Sequence, residues 1–416
     1  VDLLRNAVRP YAWGSRTAIA DLLGRPVPAP HPEAELWLGA HPADPSLLVG
    51  ADGSEVSLLD RLTEDPEGQL GSDCADRWGN RLPFLMKVLA AEEPLSLQAH
   101  PSAAQAAEGF AREEAAGIPL DAPNRNYKDP NHKPELICAL TEFHALAGFR
   151  DAHRTLELLK SLEVPALRAH IELLAAQPDA DGLRALFTTW ITLPQPALDK
   201  LVPQVLDGCV AHLKEHGPFD RECRSALELA EAYPGDAGVL AALLLNRIVL
   251  HPGEAIYLPA GNLHAYLHGT GVEIMANSDN VLRGGLTPKH VDVPELLRVL
   301  DFRCGDVPVL RGDVVGHQTA YRTPAPEFHL STLDWSVGGS AEGDDAEGEW
   351  IDSAGPQILL CAHGRARLTT ADGREIEVVR GQSVWVAAGD PPVLVQPVDL
   401  AASGRVQLFR ATAGVS

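Results

Sequence analysis

The sequence predicts a mainly β protein with a helical insertion, on three observations. After Leu250, short β-rich segments alternate with turn residues. Between about Ala152 and Leu250, apolar residues recur at helical spacing. From Val1 to about Asp151, Pro and Gly break the chain around short apolar runs. Many short strands separated by turns favour a sandwich or a barrel.

In the first stretch the apolar runs are Pro83–Ala90 and Pro94–Ala99, and Pro26–Pro32 reads as an irregular surface segment. Asp73–Asn80 offers no clean period. In Leu201–His216, Val202, Val205, Leu206, Val210 and Leu213 share one helical face. Leu156–Leu162, Leu167–Leu174 and Val239–Leu250 behave similarly, with Pro or Gly between them. The later strands are Ala255–Leu258, Gly271–Met275, Gln357–Cys361, Ala366–Thr370, Glu375–Val379, Ser383–Ala387 and Val406–Arg410. Gly338–Glu349, rich in Gly, Asp and Glu, reads as a mobile acidic loop.

At 416 residues the chain accommodates two or three domains of about 150 residues and needs no disulfide to fold. Its six cysteines lack any Cys-x-x-Cys pair, which suits reduced thiols. With 57 acids against 34 Lys and Arg, the formal charge of −23 opposes non-specific binding to nucleic acid or anionic membrane. The longest apolar run, Val239–Leu245, is too short to span a bilayer. The residues after Val1 show no basic region followed by an apolar run, so a cytoplasmic location is expected. There is neither a P-loop nor a Gly-x-Gly-x-x-Gly between strand and helix, and nucleotide chemistry has no positive support.

Four stretches carry candidate chemistry. In Pro94–Pro101 an extended backbone puts Ser96, Gln98 and His100 on one face, although a solvent-facing strand would look the same. In Asn131–Ile137, Lys133 and Glu135 share a side, and the intervening Pro134 supports an extended chain; a surface ion pair is the plainer explanation. Gly253–His264 is a strand running into a Pro/Gly turn that delivers His264, which could also merely close the turn with hydrogen bonds. Joined, Gln98, His100, Glu135 and His264 make a set of two imidazoles, one carboxylate and one amide, suited to a borderline divalent ion such as zinc with a position left for water or substrate. The fourth stretch, Glu273 followed by Asn277–Lys289, gathers Ser278, Asp279, Asn280, Arg283 and Lys289 around two glycines. It is either a hydrophilic turn or a local anion site.

These stretches, with Tyr11-Ala-Trp-Gly14, Ala34-Glu-Leu-Trp-Leu-Gly39, Leu82-Pro-Phe-Leu-Met-Lys87 and the run from Gly253 to about Phe302, resemble the type I mannose-6-phosphate isomerases, or phosphomannose isomerases, of the metal-dependent cupin superfamily. The resemblance implies cupin-type jelly-roll barrels plus an α-helical domain. It divides the chain into 1–150, the N-terminal part of a catalytic cupin domain; 151–250, a helical insertion; 251–320, the rest of the catalytic domain with an active-site loop; and 321–416, a degenerate cupin-like β domain in which His363 stands alone. It implies one zinc ion per chain held by Gln98, His100, Glu135 and His264. Arg283 and Glu273 then match catalytic positions, with Ser96, Lys87, Lys133 and Lys289 lining a sugar-phosphate pocket.

The implied reaction moves a carbonyl between C1 and C2 of D-mannose 6-phosphate and D-fructose 6-phosphate through a cis-enediol. Its base is unassigned: Glu273 is the first candidate, a metal-bound hydroxide is another, and Glu135 is a poorer one if its carboxylate is committed to zinc. The family connects central carbon metabolism to mannose donor synthesis and implies a monomer whose partner is a small sugar phosphate. Two other readings stay open: another metal-dependent cupin enzyme such as an iron oxygenase, and a non-catalytic sugar-phosphate-binding cupin.

Overall fold

The computed structural model describes residues 1–50, 52–337, 347–352 and 355–414. Helices and strands take comparable shares of them. Three sheets, of nine, eleven and four strands, run as open or branched paths of paired strands. The nine-stranded sheet ends on Asp313–Val315 at one edge and Glu55–Ser57 at the other, and these do not pair with each other.

This corrects the expectation of a mainly β chain of jelly-roll barrels. The fold is mixed α/β, and no barrel closes among the described residues. One reason the helix content escaped notice is that it is not confined to the insertion. Leu58–Glu64, Pro66–Leu70, Ala103–Ala115 and Val293–Val299 are helices within the stretches read as β-like or irregular. The aperiodic Asp73–Asn80 overlaps the helix Ser72–Trp78, which Gly79 ends in the left-handed region at φ 64°. Short helices show too few turns for a period to emerge and depend on their ends instead. Ala103–Ala115 begins with a capping box in which Ser102 and Gln105 satisfy each other's backbone N–H groups.

Within 151–250 the helical expectation holds up to Ala242. The periodic segment lies in the long helix Gln195–Glu215. Its buried face runs through Leu198, Leu201, Val202, Val205, Cys209 and His212, whereas Val210 is exposed. Leu245–Leu250 is a strand paired with Phe143–Phe149, so the apolar run from Val239 changes structure midway. The acidic stretch expected to be mobile lies largely outside the described residues, since 338–346 are not among them.

The eleven-stranded sheet carries most of the candidate site. Phe84–Ala91 is buried along its whole length and pairs with Glu35–Leu38 on one side and His264–Ala276 on the other. A continuous apolar run suits a strand covered on both faces; Lys87 is its one charge. The other large sheet joins the two ends of the chain, for Asp2–Arg5 pairs with both Ser383–Val386 and Leu47–Val49. No helix among the described residues is long and apolar enough to cross a membrane.

Candidate active site and metal centre

The strand Leu97–Ala99 lies between His264–Ala276 and Leu282–Gly285, with Gln98 opposite His264 on one side and Arg283 on the other. Leu97 and Ala99 are buried in the same apolar cluster as the helices of 152–242. By alternation, Gln98 therefore faces the other way. The helical module buttresses the back of the strand that begins the site.

His100, Glu135 and His264 converge in the interior. Glu135 Oε1 lies 3.3 Å from His100 Nε2, and its Oε2 lies 3.3 Å from His264 Nε2. One candidate ligand atom from each falls within 4.8 Å of the others. Yet His100 Nε2, His264 Nε2 and Glu135 Oε2 are buried with no hydrogen-bond partner among the described residues. Three orphaned buried polar atoms facing one another are costly unless something binds them.

The far sides of both rings set their tautomers. His100 Nδ1 lies 2.7 Å from the Asn280 carbonyl oxygen, and His264 Nδ1 lies 3.0 Å from that of Asn262. A carbonyl only accepts, so each Nδ1 carries the proton and each Nε2 offers a lone pair inward. Burial also lowers the His100 pKa to about 4, against the pull of Glu135. Burial opposes ionisation of Glu135, but His100 and Lys133 outweigh it and hold the carboxyl well below its usual range. Lys133 Nζ is 3.3 Å from Glu135 Oε1. Neutral imidazoles beside an ionised carboxylate are the donor set a divalent zinc ion takes.

A second buried cluster lies on the same sheet. Lys87 stands opposite Glu273 and Trp37 in the strand register. Its Nζ is 3.6 Å from Glu273 Oε2, 3.5 Å from Glu35 Oε2 and 5.2 Å from the Trp37 ring centre. Burial disfavours the ammonium, but Glu35, Glu273 and Glu135 together raise its pKa. For Glu273 the balance goes the other way. Burial, then the nearby Glu135 charge, push its carboxyl up to about 7 despite Lys87.

Of the remaining sequence candidates, Arg283 is half-buried with no carboxylate in ion-pair range among the described residues, and burial lowers its pKa. Ser96 is half-buried, and Lys289 is exposed. His363 is half-buried and, among the described residues, belongs to no cluster of metal-ligating groups. Glu35, Trp37 and Tyr266 were missed. Glu35 and Trp37 had a signal, since alternate residues of a strand share a face. Also missed was the contact between His132, next to Lys133, and the buried Glu327 from the C-terminal part of the chain. Both border a cavity of about 770 Å³ that His41, Asn131, Ser278 and Asp279 also line.

Residues 2–152 match the family model described as phosphomannose isomerase type I, catalytic domain. The chain is 40% identical over 400 residues to the mannose-6-phosphate isomerase of Escherichia coli (strain K12), covering 94% of this chain and 96% of that protein. It is 33% identical over 426 residues to the mannose-6-phosphate isomerase of Homo sapiens, with 95% and 96% covered. Among solved structures, a zinc-bound mannose 6-phosphate isomerase superposes with a TM-score of 0.87 at 36% identity, covering 100% of this chain and 99% of that one. A point variant of the phosphomannose isomerase from Salmonella typhimurium gives 0.88, also at 36% identity and with the same coverage.

Proposed function

The chain belongs to the type I mannose-6-phosphate isomerase family, and from that premise we propose how its interior residues divide the work of a zinc-dependent exchange between D-mannose 6-phosphate and D-fructose 6-phosphate. The observation that carries the reading is the meeting of His100, Glu135 and His264 on three orphaned atoms. These three hold one zinc ion, and Gln98, opposite His264, is the fourth protein ligand. When bound, zinc supplies Lewis-acid polarisation and a template for the sugar oxygens.

The chain's own groups handle the proton and the phosphate. The open-chain aldose loses its C2 proton to the Glu273 carboxylate, the C2–H electron pair forms the C1–C2 double bond, and the C1 oxygen takes up a proton. Return of a proton to C1 and loss of the C2 hydroxyl proton then gives the ketose, with no net redox change. A carboxylate whose pKa is raised to about 7 is matched to giving and taking a proton near neutrality. Arg283, with no carboxylate in ion-pair range among the described residues, offsets negative charge developing on the enediol oxygens. Ser96, Lys87, Lys133 and Lys289 anchor the phosphate end, so that C1 and C2 stay in register with the base.

The same reading takes 1–150 with 251–320 as the catalytic unit, 151–250 as a helical insertion and 321–416 as a C-terminal β unit. It describes a cytoplasmic monomer that feeds mannose donor synthesis and binds neither nucleic acid nor membrane. The test is coupled-assay conversion of mannose 6-phosphate by the protein as isolated, after chelation and after zinc restoration. Turnover lost on chelation and regained with zinc is expected; none from folded, zinc-loaded protein would sink the reading.

A further inference from the structure

Asn280 is fully buried in the stretch that leads to Arg283. Its backbone oxygen accepts from His100 Nδ1 at 2.7 Å. Its side chain turns to a different part of the chain: Oδ1 accepts from the backbone N–H of Lys128 at 2.6 Å and of Asp129 at 3.2 Å. Nδ2 donates to the carbonyls of Asp129 and Asn131, both at 2.8 Å, and more weakly to Asp129 Oδ1 at 3.3 Å. Asp129 returns the hold, accepting from the Asp279 and Asn131 backbone N–H groups at 2.8 and 3.0 Å. Ser278 Oγ closes the knot, accepting from Asn280 N–H and donating to the Asn131 carbonyl.

This one amide therefore spans two segments about 150 positions apart in the chain. The segment it grips continues directly into Lys133 and Glu135. The other end of the residue fixes the ring of His100. Backbone pairing of Met275 with Glu135 and the Ala276 N–H to Pro134 carbonyl bond already join the flanking strands; the Asn280 and Asp129 side chains extend that hold to 128–131, beyond the end of the sheet.

We propose that Asn280, locked with Asp129, is a positioning residue that sets His100 and the Lys133–Glu135 segment at their working separation. It tunes zinc affinity through the first and substrate anchoring through the second. The inference rests on His100 and Glu135 being zinc ligands. Only an amide at 280 serves both directions, because the acceptors facing Nδ2 are all oxygens and the donors facing Oδ1 are both N–H groups.

The test uses the full chain with Asn280→Asp, which keeps the shape and the backbone carbonyl but turns an oxygen toward three others. Zinc affinity is measured by chelator competition, kcat and KM for mannose 6-phosphate at saturating zinc, and thermal unfolding without metal. We expect zinc affinity to fall about 10- to 100-fold, and KM to rise even when the site is filled with zinc. Parental zinc affinity and KM would overturn the proposal, whatever the thermal shift. If Asn280→Asp does not fold, Asp129→Asn is put through the same three measurements. A smaller loss of zinc affinity and a smaller KM rise support the proposal, and parental values overturn it. A parent protein that binds no zinc overturns the ligand reading itself, and is told apart because the failure is seen before any substitution.

Discussion

Tyr266 Oη donates a 2.9 Å hydrogen bond to Glu273 Oε1, although the two residues are 7 positions apart on one strand. Strict alternation would put residues an odd number of positions apart on opposite faces. The register against Phe143–Phe149 shifts between Tyr266 and His268, and such an irregularity resets the alternation. Gly269 follows at φ +118°, where a Cβ would meet the Glu142 carbonyl at 2.5 Å. Burial and the Glu273 charge raise the phenol pKa far above its usual value, so Tyr266 stays a donor. Glu273 keeps its other oxygen toward Lys87.

Glu273→Gln should lower kcat by about 10² to 10⁴ if this carboxylate moves the proton. In the parent, kcat/KM should fall as pH drops through about 7, and the variant should lose that limb. Unchanged kcat would transfer the role to another base. Stability gives an independent check. A carboxyl raised from 4.5 to about 7 on folding keeps its proton over a range where the unfolded chain has lost it. Metal-free parent should therefore lose stability relative to the variant between those values, by about 3 kcal/mol in all, and level off above them.

Tyr266→Phe removes one donor from a buried carboxyl. A net cost of about 1–3 kcal/mol in unfolding free energy is expected. Without that donor the ionised form is worse off, so the acid limb of kcat/KM should move to higher pH while zinc content stays at the parent level. A limb that does not move would mean that Tyr266 supports the fold alone.

His264→Ala should lose zinc and turnover together, because it deletes one of the inward-facing lone pairs. Metal content measured beside activity decides this; parental values of both would remove His264 from the ligand set.

Arg283→Ala should separate the two losses. Arg283 stands opposite Gln98 in the strand register and is not one of the converging triad. Most zinc should remain while kcat/KM falls by about 10²- to 10³-fold, the scale for removing one preorganised charge stabiliser. Full turnover would end its catalytic assignment.

The metal triad was legible in part, because Glu135 and His264 each begin a strand and His100 directly follows one, where period two applies. Ser96, Gln98 and His100 could be read as one face, and Lys133 and Glu135 as another, without a structure. Tyr266 could not be linked to Glu273, since the strand's irregularity depends on its neighbour. Neither could His132 be linked to Glu327 nor His100 to Asn280, for both contacts close loops of well over 100 residues. No local propensity encodes such pairs.

The sequence by itself determined the family, the ligand types and the helical module, because long motifs and helical spacing are properties of neighbouring residues. Tertiary structure decided the fold class, through open sheets that join the two ends of the chain and through short capped helices outside the insertion. It also decided which polar atoms are left without partners. A lone pair becomes a ligand when burial takes away its water and no protein donor replaces it, and that depends on every segment packed around His100, Glu135 and His264.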